Sequence, residues 1–330
     1  MKPSTLIQRL VDQRELLLGA IMALMIVGIG IAAPFFVAPS NLVEVFDDTA
    51  ILIILALAQM QVVLTRGIDL SVASNLALTG MVVALLNSAH PELPLAITLL
   101  VAIGLGTVLG AINGVLVWLV DVPSIVVTLG TMSIYRGAVF LISGGEWVNA
   151  HEMPAQFLAF PRAPFLGLPM LSWIAVVALV FAWVFSRYTA VGRGVYAVGG
   201  NPKAALYAGL NVGRHQFITF CLSGAVAGLC GYLWVARYAV AYTEVAVAFE
   251  LQVVAACVIG GISISGGIGS TWGAACGALF LGLIKNALPV VGISPFWQLA
   301  VSGLVIVLAV IVNSRSEQSK GRRILREAHQ

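Results

Sequence analysis

Asp69, Ser71 and Asn75 sit close together where an apolar stretch of the chain begins, and Asn113 lies inside the following apolar stretch. A carboxylate, a hydroxyl and two amides in such surroundings either serve the local backbone or line a polar path for a solute. Asp69 could be the N-cap of a helix beginning at Leu70, because its side-chain oxygen can accept an otherwise orphaned N–H of the first turn. Alternatively Asp69, Ser71, Asn75 and Asn113 mark a translocation path. A charge held at the centre of a bilayer costs about 2.5–3.5 kcal/mol on insertion scales. Asp69, and with it Arg136 and Glu250, must therefore face protein or water.

Other chemistries are excluded by what the sequence lacks. No G-x-x-x-x-G-K-[ST] run occurs, so the chain has no phosphate-cradling loop of the usual kind. No G-x-S-x-G nucleophile elbow occurs. His151-Glu152 begins like a zinc helix, but Pro154 and Ala155 follow where the second histidine is needed. The 4 cysteines, Cys221, Cys230, Cys257 and Cys276, form no C-x-x-C pair and read as small packing residues. Neither a catalytic site nor a metal site is expected on this chain.

The elements that must position these residues follow from composition. Of 330 residues, 60% are hydrophobic and only 9% charged. That is too few charges to cover a water-soluble globule. The net charge of +3 carries no basic stripe interleaved with aromatics, which rules out nucleic acid as a main partner. The expected class is an all-α integral membrane protein.

A helix needs about 20 apolar residues to cross the hydrocarbon layer. Uncharged runs at 16–36, 49–65, 70–89, 93–120, 163–186 and 216–236 meet or approach that length. A weaker run at 122–142 is interrupted by Arg136, and a last one follows Pro295. The uncharged stretch 251–284 would be about 51 Å long as one helix, so it must break. Gly260, Gly261, Gly266, Gly267 and Gly269 mark the break, giving helices near 247–263 and 269–286. The expected total is about ten transmembrane helices.

An even number of spans puts both termini on one side. All but four of the 17 Lys+Arg then fall on that side, the exceptions being Arg136, Arg162, Arg237 and Lys285. By the positive-inside rule both termini are cytoplasmic. Residues 1–15, with Leu6, Ile7, Leu10 and Val11 at helical spacing, suit a short cytoplasmic surface helix or a frayed tail. Residues 16–313 form one transmembrane domain, and 314–330 a basic cytoplasmic tail. On the opposite side Glu44, Asp47, Asp48, Glu92 and Glu244 could meet basic residues of a docking protein.

One cytoplasmic loop, 187–215, is long. It contains a short-helix signal with Asn201 as N-cap, Pro202 at the first helical position and Gly209 as terminator. Such a helix is too short to stand alone in water and must dock on something. It displays Ala204, Ala205, Leu206 and Ala208 towards the cytoplasm.

The run Thr189-Ala-Val-Gly-Arg-Gly-Val-Tyr-Ala-Val-Gly-Gly-Asn-Pro-Lys-Ala-Ala-Leu-Tyr-Ala-Gly-Leu-Asn-Val closely resembles the cytoplasmic loop of bacterial ABC importer permeases of the ribose/xylose/arabinose/rhamnose class. Leu64-Thr-Arg-Gly-Ile-Asp-Leu-Ser-Val-Ala-Ser and Val258-Ile-Gly-Gly-Ile-Ser-Ile-Ser-Gly-Gly-Ile-Gly-Ser are similar to the same family. Arg66 and Ala73 stand where that family often has glycine.

The resemblance, which extends from about residue 16 to 313, implies a type II-like transmembrane subunit of the bacterial plasma (inner) membrane. It also implies a second permease chain, identical or homologous, cytoplasmic ABC ATPase subunits carrying ATP and Mg, and a periplasmic sugar-binding protein. The segment 201–209, with Lys203, would be the coupling element seated on the ATPase, its approach shaped by Gly192, Arg193 and Gly199. Transport would proceed by alternating access, with a pentose or a 6-deoxyhexose such as rhamnose as the substrate.

Two other readings remain at this point. A branched-chain amino-acid permease would have similar hydropathy, and an ion-coupled carrier would need an acidic or histidine relay that this sequence lacks. The pentad Gly67-Ile-Asp-Leu-Ser also recurs as Gly261-Ile-Ser-Ile-Ser, a pattern that either marks paired broken helices or arises by chance.

Overall fold

The computed structural model describes residues 14–294 and, beyond them, 297, 300, 303, 304 and 307. Most of the expected N-terminal surface helix, the span after Pro295 and the tail 314–330 lie outside the described residues. Arg14 and Glu15, assigned to the surface helix, instead begin α1 (Arg14–Ala32). The long helices that follow are α2 (Pro39–Leu64), α3 (Val72–Ala89), α4 (Leu95–Trp118) and α5 (Ser124–Ser143). Short pieces, among them α6 (Ala155–Ala159), lead to α7 (Met170–Tyr188). Then come α8 (Ala190–Gly200), α9 (Pro202–Tyr207), α10 (Val212–Tyr238), α11 (Phe249–Ile259) and α12 (Thr271–Val290).

The expected all-α class holds, and among the described residues 7 helices are long and apolar enough to cross a membrane. The 26-residue α2, which is not one of those 7, runs through the interior: every residue from Thr49 to Leu64 is buried. Its start at Pro39 places Glu44, Asp47 and Asp48 on a helix rather than in a loop. Arg136 does not interrupt α5, which runs unbroken through it.

The broken region is partly as expected. The chain does turn between α11 and α12, with Gly261, Gly266 and Gly267 in the left-handed region. However, α11 has only 11 residues, about 16 Å, and so reaches half-way across an apolar layer rather than through it. Residues 163–169, expected at the head of a span, form a tight hairpin instead, Pro164–Phe165 pairing with Leu168–Pro169. Leu166 and Gly167 both take positive φ there, which turns the chain before α7.

Backbone proximity is what packs this bundle. Ala102, Gly106 and Gly110 on α4 face Phe220, Gly224 and Gly228 on α10 at four-residue spacing. A Cβ on Gly106 would overlap the carbonyl of Gly224, and one on Gly224 would overlap that of Gly106. Lipid tails are as apolar as leucine, so helices in a membrane associate by this close packing of small residues rather than by hydrophobic exclusion. The same device joins α3 to α10 at Gly80 and Gly231, and α11 to α12 at Gly260 and Gly273.

Gly106→Ala will therefore lower the thermal unfolding midpoint of the detergent-purified protein, by about 1–3 kcal/mol of overpacking. On the same helix nothing stands near Gly104, so Gly104→Ala will leave the midpoint unchanged or raise it. Equal shifts for the two variants would show that the α4–α10 contact is not the constraint.

Candidate functional site

Between α2 and α3 the chain is unwound over residues 66–71, yet Gly67, Asp69 and Ser71 are buried. Irregular backbone away from water is tolerated only when each polar group finds a partner. The Gly67 N–H donates back to Val62 O at 3.1 Å. Ser124 and Thr128 at the head of α5 serve Ile68: its N–H donates to Ser124 Oγ at 3.2 Å, and Thr128 Oγ1 donates to its carbonyl at 3.1 Å. Gln59, one turn inside α2, turns its amide so that the oxygen accepts from Asp69 N–H at 3.1 Å and the nitrogen donates to Asp69 O at 3.3 Å. A side chain thus pairs with Asp69 as a neighbouring strand would.

The Asp69 carboxylate ties three elements together. Oδ1 accepts from the backbone N–H of Ser71 at 3.0 Å and from its hydroxyl at 2.7 Å. Oδ2 accepts from Ser223 Oγ on α10 at 2.8 Å. Asn113 Nδ2 on α4 donates to Ser71 Oγ at 2.8 Å, completing a line of Asn113, Ser71, Asp69 and Ser223. Three donors aimed at one carboxylate offset part of its desolvation. The cap expected at Leu70 is not made: α3 begins at Val72 with Ser71 in the cap position, and Asp69 closes a turn onto Ser71 two residues ahead.

Asn75 stands outside this line. Its amide nitrogen donates to Gly106 O at 3.1 Å, joining α3 to α4 at the glycine contact. The side-chain oxygens of Asn75 and Asn113 are buried without a protein partner. Those two acceptors are what the site has left to offer a solute or water. Sequence reasoning missed Ser223 and Gln59. Both lie in charge-free runs, where only the presence of a polar side chain in an otherwise apolar helix could have signalled them.

At the end of the bundle where α2 finishes, the expected loop 187–215 is a helical elbow. Thr189 caps α8, its hydroxyl accepting from Gly192 N–H at 2.9 Å. Asn201 ends α8 and starts α9, its Oδ1 accepting from Ala204 N–H at 3.1 Å. Gly209 takes a φ of +83°, and the Leu210 N–H returns to Ala205 O at 3.0 Å, closing α9 as the glycine required.

Gly192 packs on the Phe185 carbonyl and Gly199 on the Leu64 carbonyl, where any side chain would collide. Arg193 donates to Tyr188 O at 3.1 Å. Lys203 and Ala204 are exposed. Ala205 is not displayed as expected. It is only 4% exposed, whereas Leu206 is 63% and Tyr207 91% exposed.

The acids of the opposite end divide into two kinds. Asp47 is buried, lies 2.9 Å from Arg237 Nε and accepts from Ser172 Oγ at 2.9 Å. Asp48 accepts from Arg237 Nη2 at 2.9 Å. Both are committed within the chain, so Asp47 is not free to dock a partner. Glu44, Glu92 and Glu244 are exposed, with His90 3.6 Å from Glu92.

Glu152 accepts from Asn149 N–H at 2.7 Å, and the backbone and side-chain bonds from Asn149 hold its carboxyl below the usual range. It caps its own turn. Among the described residues no group of three His, Cys, Asp or Glu could hold a metal ion.

Over residues 41–310 the chain matches the family described as the branched-chain amino acid transport system / permease component. It is 35% identical to the ribose import permease protein RbsC of Escherichia coli K12 over 310 residues, 93% of this chain and 95% of that one. Against the ribose import permease of Haemophilus influenzae it is 33% identical, covering 92% and 94%. The autoinducer 2 import system permease LsrC of Salmonella paratyphi B is 34% identical, covering 89% and 84%. No solved structure matches. Because both the family match and these alignments take in the unwound Asp69 segment, the elbow and the broken α11–α12 region together, the chain belongs to this family of transport-system permease components.

Proposed function

We propose that the chain is the membrane-spanning subunit of an ATP-driven importer for a monosaccharide, with ribose the first candidate. Relatives named for ribose import, aligned along nearly their whole length, support the sugar reading. The family's description favours branched-chain amino acids as the second reading. In the sugar reading the chain crosses the bacterial inner membrane about ten times with both termini in the cytoplasm. It pairs with a second permease chain, cytoplasmic ATPase subunits that bind ATP and Mg, and a periplasmic sugar-binding protein. Titrating that binding protein with ribose and with leucine separates the readings: heat of binding with ribose alone supports sugar, with leucine alone the second reading.

A single observation carries the mechanism. α9 is capped at both ends, anchored by buried Ala205 and crowned by exposed Leu206 and Tyr207 on the basic end of the bundle. A six-residue helix does not survive alone in water; burial of Ala205 against the rest of the chain supports it and leaves Leu206 and Tyr207 as its outward face. In this reading the ATPase receives Leu206 and Tyr207, and its closure moves the elbow. Glu44, Glu92 and Glu244 on the far end are the acids left to meet the binding protein.

The Asp69 line lies on the route of that motion. Asp69, Ser71 and Asn113 hold α3, α4 and α10 in one arrangement, and the free oxygens of Asn75 and Asn113 offer acceptors to sugar hydroxyls when it opens.

Three outcomes follow. Tyr207→Glu will cut co-purification of the ATPase subunit at least tenfold while the permease stays monodisperse, and undiminished co-purification would remove α9 as the docking element. Asp69→Asn, which replaces one accepting oxygen with an amide donor facing donors, will lower vesicle uptake of ribose at least tenfold. Ser223→Ala removes one of the three donors and will cost about 1–3 kcal/mol of stability while leaving measurable uptake.

A further inference from the structure

Arg66 is the first residue of the unwound segment and has a φ of +67°. That left-handed conformation is natural for glycine and unfavourable for a residue with a Cβ. Arginine at this position therefore carries a backbone cost. Its Nε donates to Gly199 O at 2.7 Å and its Nη2 to Gly200 O at 3.0 Å. Those are the last carbonyls of α8, which a helix C-terminus leaves without partners. A planar guanidinium serves two adjacent acceptors where a lysine ammonium would serve one point.

The position of this bond is what gives it consequence. Asn201 joins α8 to α9 directly, so Gly199 and Gly200 are the point at which a push on α9 enters the rest of the molecule. On the other side, Arg66 leads within three residues to Asp69 and the line through Ser71, Asn113 and Ser223. Close backbones make the junction stiff: Gly199 rests on the Leu64 carbonyl, Gly267 rests on Gly200, and the Gly267 N–H donates to Leu64 O at 3.0 Å. Tyr196 ties α8 to Gly269 O at 3.1 Å, but that bond leads to the α11–α12 turn. Among the described residues, the Arg66 fork is the side-chain hydrogen bond that joins α8 to segment 66–71.

We propose that Arg66 is a positioning residue for energy coupling, the tie rod through which displacement of α9 reaches the Asp69 segment. The inference rests on the reading of α9 as the ATPase-coupling helix. Leu70 lies beside Asp69 and is partly accessible, so its exposure reports on the segment without requiring the transported solute to be known.

The test uses the assembled complex of permease and ATPase in lipid nanodiscs. A Leu70→Cys reporter is labelled with a maleimide, with and without Mg-ATP. With Arg66 present, ATP will change the labelling rate at least threefold. With Arg66→Gly or Arg66→Gln the ATPase will stay bound and hydrolyse ATP, but the change in labelling will vanish. Arg66→Lys, which keeps the charge without the fork, will give an intermediate response. An unaltered ATP response in Arg66→Gly overturns the tie-rod role, and so does an absent response with Arg66 in place.

Tyr207→Glu in the reporter background separates the two ideas. Loss of ATPase binding and response in Tyr207→Glu, with the response intact in Arg66→Gly, removes Arg66 alone. A bound ATPase and a normal response in Tyr207→Glu removes the reading of α9.

Discussion

A stretch of backbone that is not helical, lying where water is scarce, has to be paired group by group or it will not stay. Residues 66–71 meet that demand with side chains: the Gln59 amide against Asp69, the Ser124 and Thr128 hydroxyls against Ile68, and the Asp69 carboxylate against Ser71. An unsatisfied group in such surroundings costs several kcal/mol. The placement of α2, α3 and α5 around this segment is therefore not independent of it. A bond that pairs the segment in one arrangement is also one that must be exchanged if the segment moves, so the same residues hold the fold and resist its rearrangement.

The glycine contacts set where those pairings fall. Ser223 precedes Gly224, which touches α4, and Asn113 precedes Gly114, which packs on Phe217 of α10. Because the two helices meet backbone to backbone, their short polar side chains reach Asp69 and Ser71 without long flexible arms. A methyl group at Gly106 or Gly224 would push α4 and α10 apart and lengthen bonds of 2.8 Å that have no slack. Close packing and polar satisfaction are one constraint here, seen from two sides.

Much of this was legible in the sequence, for reasons that can be named. Uncharged runs gave the long helices because a chain in lipid must pair its backbone internally. The Asn201, Pro202 and Gly209 signals gave α9 because capping is local chemistry that needs no tertiary context. The break within 251–284 was visible in its glycines and its length. Asp69, Ser71 and Asn113 do come together, but Asn75 bonds elsewhere, and the helix that Asp69 could have capped from Leu70 begins instead at Val72. Asp47 shows the opposite failure. It reads as a surface acid, yet an arginine 190 residues on in the chain and a serine on α7 claim it, and nothing in the local sequence announces a partner so distant.

The orientation of α9 was the hardest feature to read, and it matters most for how a force would pass. Six residues are under two turns, too few for periodicity to say which side faces inward. Burial of Ala205 settles the phase: the small side chain lets α9 sit close on its own chain, and the adjacent Leu206 and Tyr207 are thereby turned outward. An element that is to be pushed needs this asymmetry, a tight side that cannot slip and a large side that can be gripped. Arginine at position 66 then has a physical sense that the local backbone denies it, since the same left-handed residue that a glycine would relax is the one whose side chain reaches the anchored end of the elbow. The strain is local, while the bond it permits spans 133 residues of sequence.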